Sequence, residues 1–250
     1  MGAPGSAVAQ RGKRYTGDMK KLLLSLCGSL LALTCHAADS RFTVVTVDPA
    51  RENLQLFLND EAGKPFKGFA RLASWLAGQG GQLDLAFNAG MYHADFQPVG
   101  LLVQDGRELA PLNLADGKGN FFLKPNGVFL IGKQGPQVLT SQAYAAGVKE
   151  VRLATQSGPM LVIDGQIHPA FDPESISRFV RNGVGVADGK VVFVISNHPV
   201  TFHELAVFFR DTLHCRNALY FDGSVSSLYS RALGRRDAGA PLGPIIAVVK

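Results

Sequence analysis

The apolar runs of this chain are short, and nearly every one is closed by Gly, Pro, Asn or Asp. Runs of about four to eight residues between such signals make strands rather than helices. Candidate strands are Phe42–Val47, Leu54–Leu58, Leu83–Phe87, Val99–Gln104, Gly119–Leu123, Gly127–Ile131, Val151–Thr155, Met160–Ile163, Gly183–Ala187, Val191–Ser196, Ala218–Phe221 and Ile245–Val249. Asp188-Gly189 predicts a hairpin between two of them, and Asp164-Gly165 turns Met160–Ile163 back onto Gln166–Ile167. Lys124-Pro125-Asn126-Gly127 predicts a further link between neighbouring strands.

Helical patterns are fewer. Phe66–Leu76 carries an apolar stripe that Gly78 can end, and Thr201–Leu213 opens on Thr201-x-x-Glu204, a capping box. Asp172-Pro173 predicts a short third helix, with Asp172 as its cap. The pattern is that of an α+β fold: a single domain with mixed or largely antiparallel sheet and a few helices.

Met19-Lys20-Lys21 precedes LLLSLCGSLLALTC and then His36-Ala37-Ala38. A short basic start, an apolar run and small residues predict a secretory signal peptide over 19–37, cut after Ala37. The run is shorter than the roughly 20 residues of a membrane span, and Leu33-Thr34 is a poor lead-in for a lipid-modified Cys35. Residues 1–18 read as an upstream extension or misplaced start, and 38–250 as the domain. Its expected location is periplasmic or secreted, with no transmembrane segment once the leader is removed.

Arg11, Lys13, Arg14, Lys20, Lys21 and Asp18 all belong to the segment before residue 38. The chain from residue 38 onward has 20 basic and 19 acidic residues, so the +5 of the whole chain is largely the leader's. That balance excludes a nucleic-acid footprint. Cys27 and Cys35 also leave with the leader, so the domain has Cys215 alone, no internal disulfide, and a core that must suffice. Buried packing is the expected role of Cys215.

Four segments share one design, a strand-like run ending in polar residues with glycine beside them. They are Phe87-Asn88-Ala89-Gly90-Met91-Tyr92, Thr155-Gln156-Ser157-Gly158-Pro159, Arg181-Asn182-Gly183-Val184-Gly185 and Phe221-Asp222-Gly223-Ser224-Val225-Ser226-Ser227. Each one alone is also the pattern of an ordinary turn. His93 and His198 follow strand ends and could carry protons near neutral pH. His198 to Glu204 lacks the spacing of a helical zinc motif, and neither a metal site nor a cofactor is assigned. Asp222 with its serines could still supply oxygen ligands, which leaves a divalent cation open.

In order along the chain, NAGMY, PVG, ATQSGPM, RNGVGV and YFDGSVSS resemble the phosphodiester glycosidase family, from about Phe42 to Val249. The resemblance implies cleavage of a sugar C1–oxygen bond with release of a phosphate-bearing fragment. It implies catalytic roles for Asp222 as the carboxylate and Arg181 as the phosphate holder; His198 is added as a catalytic candidate from its place at a strand end. It implies substrate contacts from Asn88, Gly90, Gln156, Ser157, Gly158, Gly223 and Ser226, and Gly185 matches the arginine segment; His93 and Ser224 are added as substrate-binding candidates from their places beside these motifs. Ser224 and Val225 stand where the family usually has glycines, and Ala89 replaces the first glycine of the asparagine turn. A backbone nest for phosphate is therefore less assured at Val225 than in a glycine loop. The partner would be a sugar phosphate or an envelope glycan; the oligomeric state is not legible. Two other readings stay open at this point: a non-catalytic module binding the same ligands, and a serine hydrolase using Ser157 or Ser226 without a nucleophile elbow.

Overall fold

The computed structural model describes residues 39–250, with Met1, Gly2 and Gly5. The predicted leader, 19–37, lies outside the described residues, as does nearly all of 1–18. Asp188-Gly189 and Asp164-Gly165 turn with positive φ at both residues, 50° and 72° in one and 49° and 81° in the other. That geometry carries the strands' own twist through a two-residue hairpin.

Residues 39–250 build three sheets, and every strand pairing in them is antiparallel. The first sheet runs β1 (Phe42–Val47), β12 (Lys190–Ser196), β11 (Asn182–Ala187), β13 (Ala218–Asp222), β9 (Met160–Ile163), β10 (Gln166–Ile167). The second runs β15 (Arg235–Arg236), β14 (Leu228–Ser230), β3 (Leu83–Asn88), β16 (Ile245–Val249), β2 (Asn53–Phe57). The third runs β5 (Arg107–Ala110), β4 (Leu102–Gln104), β8 (Val151–Ser157), β6 (Gly127–Gly132), β7 (Gly135–Thr140).

All three sheets turn one face to a common core. At its centre Phe193 of the first sheet stacks on Phe87 of the second (5.0 Å) and meets Phe129 of the third edge-on (6.2 Å). Each of these rings is essentially inaccessible to water. Truncating such a ring to alanine costs about 3–5 kcal/mol, so the joint between sheets is apolar and strong. The outer faces are covered by separate clusters. Helix α1 (Phe69–Gly78) lays Phe69, Leu72 and Leu76 on the second sheet. Helix α2 (Ser141–Ala145) lies beside β6 and β7 of the third. Helix α3 (Phe202–Val207) covers the first, and Thr201 and Glu204 form the expected capping box at its start.

Several expectations are corrected. Gly119–Leu123 is no strand: Asn120–Phe122 forms one 3₁₀ turn, and its Phe121 side chain is buried. Asp172-Pro173 opens only a turn, with Asp172 accepting from Glu174 N–H (2.9 Å). The helix expected to Leu213 widens into a π-helical turn over Phe208–Thr212. Cys215 is buried as packing, and burial pushes its thiol up to about 12.

Two glycines of the RNGVGV segment are explained by close packing. A Cβ on Gly183 would sit 2.6 Å from the backbone oxygen of Leu219 on β13, and one on Gly185 would sit 2.6 Å from Cys215 Sγ. The strands β11 and β13 can approach only because Gly183 has no side chain. Gly183→Ala is expected to lower the unfolding free energy by about 1–3 kcal/mol, the cost of overpacking, measured by urea denaturation. An unchanged midpoint would show that the two strands part freely.

Candidate active site

The polar ends of β3, β11 and β13 meet, and two asparagine amides join them. Asn88 closes β3 and Asn182 opens β11; both side chains are buried. Asn182 Nδ2 donates to Asn88 Oδ1 (2.9 Å) and to Asn88 O (3.2 Å), and Asn88 Nδ2 returns a bond to Asn182 Oδ1 (3.4 Å). The remaining acceptor capacity goes to the loop after β13. Asn182 Oδ1 receives the N–H of Asp222 (3.2 Å). Asn88 Oδ1 receives the N–H of Ser227 (2.9 Å). One amide thus grips the entry of the Asp222–Ser227 loop and the other its exit. Both amides are out of water and bonded, the condition under which buried polar groups stabilise a fold.

Within that loop, Asp222 Oδ1 accepts the N–H groups of Ser224 (2.5 Å) and Val225 (3.2 Å). Asp222 is only 8 % exposed. Burial raises its carboxyl above the ordinary carboxylate value, against the backbone N–H groups of Ser224, Val225 and Gly223, which pull it down. Neither Ser224 nor Val225 has positive φ, so their replacement of glycine demands no strained backbone. Their N–H groups serve Asp222 rather than a phosphate nest. Gly223 is required for another reason: a Cβ there would lie 2.1 Å from the Tyr220 hydroxyl.

Asp222, Ser224 and Val225 form one wall of a cleft of about 500 Å³. Met91, Tyr92 and His93 from the turn after β3 form a second wall, and Lys118 to Phe122 a third. Gly90 lets the chain leave β3: its φ is 144°, and a Cβ would press on Thr155 Oγ1 at 3.0 Å. Ala89, fully buried and without positive φ, needs no glycine.

The other expected site residues stand behind the cleft. Ser157 Oγ donates to Phe221 O (2.9 Å), linking β8 to β13. The Gln156 amide has four partners: its oxygen accepts from Leu101 N–H (3.0 Å) and Asn113 N–H (2.9 Å), and its nitrogen donates to Asn113 O (2.7 Å) and Ser141 Oγ (2.9 Å). A Cβ on Gly158 would strike Phe121 O and Asn126 Cβ, both at 2.7 Å, so this glycine seats the third wall. Ser226 Oγ donates to Asp222 O (2.7 Å). Neither Ser157 nor Ser226 has a histidine partner among the described residues.

Arg181 is 1 % exposed. Its guanidinium lies 3.8 Å from the Phe202 ring centre and donates to Val200 O (2.9 Å), Ser177 O (3.1 Å) and the Tyr220 hydroxyl (3.3 Å). It stands beneath Gly223, one layer below the cleft surface. Burial raises the Tyr220 hydroxyl far above its ordinary value. His198 sits on the exposed turn between β12 and α3 and does not line the cleft. Sequence reasoning missed Asn182 as a structural pin, although RNG contains it, and missed Lys118. The signal for Lys118 was its run Asp116-Gly117-Lys118-Gly119, whose glycines favour an exposed turn.

Three antiparallel sheets share one core, and the loop that carries Asp222 is pinned where β3, β11 and β13 end. The chain belongs to the phosphodiester glycosidase family, whose sequence profile matches residues 81–248. The uncharacterized protein YigE of Escherichia coli (strain K12) is 33% identical over 225 residues, covering 86% of this chain and 87% of that protein. The catalytic domain of zebrafish N-acetylglucosamine-1-phosphodiester alpha-N-acetylglucosaminidase, auto-inhibited by its pro-peptide, superposes with a TM-score of 0.57 at 14% identity over 85% of each chain. A hypothetical protein from Synechocystis superposes with a TM-score of 0.50 at 15% identity, over 83% of this chain and 59% of that one.

The Asp222 environment sets a pH dependence. A carboxyl raised by burial holds its proton more tightly in the folded state than in the unfolded chain. Its stabilising contribution is complete below about pH 4, the unfolded carboxylate value, and is lost as pH rises through the folded value. Asp222→Asn keeps an oxygen for the Ser224 and Val225 N–H groups and removes the charge. The variant is expected to match the parent in acid and to exceed its thermal midpoint at neutral pH. A lower midpoint at neutral pH would mean that the site favours the ionised form.

Proposed function

We propose that this protein is an exported hydrolase that cleaves a sugar-1-phosphodiester or a related glycosidic bond of the cell envelope. The observation that carries the reading is Asp222: a nearly buried carboxylate on a loop gripped at both ends, facing a cleft that also holds Lys118. Breaking the C1–oxygen bond leaves positive charge on the sugar, and a carboxylate close by stabilises it, as nucleophile, base or fixed charge. Water adds to C1 and the phosphate monoester departs with the bonding electrons. A phosphate monoester leaves without a strong general acid, but its charge has to be met by a cation.

In this proposal that cation is Lys118, which lines the cleft wall. Arg181 takes a different part from the phosphate holder implied by the family resemblance. With three of its N–H groups donated to Val200 O, Ser177 O and the Tyr220 hydroxyl, it supports the floor under Gly223. His93 lies on the cleft wall, in position to reach a ligand. Tyr92 and Phe122 line the same cleft and give it apolar surface beside Asp222.

The test is release of free sugar from a panel of sugar-1-phosphodiesters and envelope glycans by the purified protein. Asp222→Asn is expected to reduce turnover by about 10²–10³-fold, the range for removing an electrostatic stabiliser. Lys118→Ala is expected to lower kcat/KM by about tenfold, or ~1.4 kcal/mol. Binding across the panel without turnover would sink the hydrolase and leave a sugar-phosphate-binding module.

A further inference from the structure

A groove of about 760 Å³, larger than the cleft at Asp222, opens between the end of β2, helix α1 and the β4–β5 hairpin. Trp75 of α1 lines it, with Glu61 from the turn after β2, Gln97 from the turn after β3, and Gln104 and Arg107 from the hairpin.

The indole is held in place. Its Nε1–H donates to Glu61 Oε2 (2.8 Å), and Phe57 and Phe66 brace the ring at 6.1 and 5.3 Å between centres, inclined by 70° and 64°. Asp60, also on the groove, is occupied by Arg71 Nη2 (2.5 Å) and by the N–H groups of Ala62 (3.1 Å) and Lys64 (2.9 Å). The side-chain amides of Gln97 and Gln104, the Arg107 guanidinium and the second oxygen of Glu61 have no hydrogen-bond partner among the described residues. No group of three or more His, Cys, Asp or Glu there is arranged to hold a metal ion.

One fixed aromatic ring, surrounded by planar amides, a carboxylate oxygen and a guanidinium, suits a ligand with an apolar ring face and a rim of hydroxyls. The ring face packs on the indole, and each hydroxyl both donates and accepts. The groove also shares a wall with the Asp222 cleft. The turn closed by His93 N–H to Gln97 O (2.8 Å) sets His93 on the cleft and Gln97 on the groove.

We propose that this groove is a second carbohydrate site, which binds the part of a glycan remote from the bond broken at Asp222. Its use of a glycan rests on the sugar-1-phosphodiester reading above, whereas its own chemistry makes no use of Asp222.

The chain has one tryptophan, Trp75, so intrinsic indole fluorescence reports on the groove directly. The full-length Asp222→Asn protein is titrated with tetrasaccharides of glucose, of N-acetylglucosamine and of the peptidoglycan backbone. A saturable change in Trp75 emission is expected with at least one of them. Replacing Gln97 and Gln104 together by Ala is expected to weaken that binding by about tenfold or more, at least ~1.4 kcal/mol. Silent emission with all three, or a change that the double replacement leaves unaltered, overturns the proposal. Turnover of a single-sugar phosphodiester by the parent protein with silent emission removes the groove and leaves the hydrolase. A responding Trp75 in a protein without turnover keeps the groove and removes the hydrolase.

Discussion

The reciprocal amide pair of Asn88 and Asn182 is the joint on which the site is built. β3 and β11 belong to different sheets, and nothing in a sheet's own hydrogen bonding links them. The two amides make that link at 2.9 and 3.4 Å and then hold the loop from Asp222 to Ser227 with the acceptors left over. An amide suits this place because it offers a donor and an acceptor without charge. A carboxylate at Asn88 would put a second negative group beside Asp222, and an apolar side chain would leave Ser227 N–H without its partner in the core. The Asp222–Ser227 loop therefore takes its shape from neighbouring strands more than from its own sequence, and serine and valine can stand where the family resemblance leads one to expect glycine.

Two charges near this joint are handled in opposite ways. Arg181 is buried more deeply than Asp222, yet its donors are matched to oxygens and its plane lies on the Phe202 ring. Phe202 in turn stacks on Phe171 at 4.9 Å, and Phe171 on His168 at 4.8 Å. Such a column is packing with a cation set into it. Asp222 instead keeps its carboxylate poised, with one oxygen tied to the backbone of its own loop and the residue on the cleft wall. A matched charge supports; a partly matched one is available for chemistry.

The α+β class, the long strands and the capping box at Thr201 were legible because each rests on local pattern: apolar alternation, Asp-Gly turns, and Thr with Glu three residues on. The four polar strand ends were legible as a set, since glycine beside Asn, Ser or Asp at a strand end is visible in the chain. What each polar side chain does was not. Gln156 looks like a ligand contact, but Asn113 and Ser141, distant in sequence, take up its amide. Arg181 looks like a phosphate clamp until Phe202 is found across it. The short strands β5 and β7 have weak apolar alternation, and Gly119–Leu123 was misread because Phe121 and Phe122 are apolar without being extended.

The order of pairing in the second sheet bears on when the molecule becomes competent during its synthesis. β3, which ends in Asn88, lies between β14 and β16, and β16 follows every other described strand in the chain. Pro244 O, just ahead of β16, receives the N–H of Ala89 (2.8 Å), which fixes the turn that carries Gly90 and His93. Contacts between residues so far apart along the chain form late and slowly. A nascent chain that has not yet reached β16 lacks the partner that sets Asn88 in register. The cleft at Asp222 is thus assembled once β16 has paired, and a chain that stops short of it carries the Asp222–Ser227 loop without that geometry.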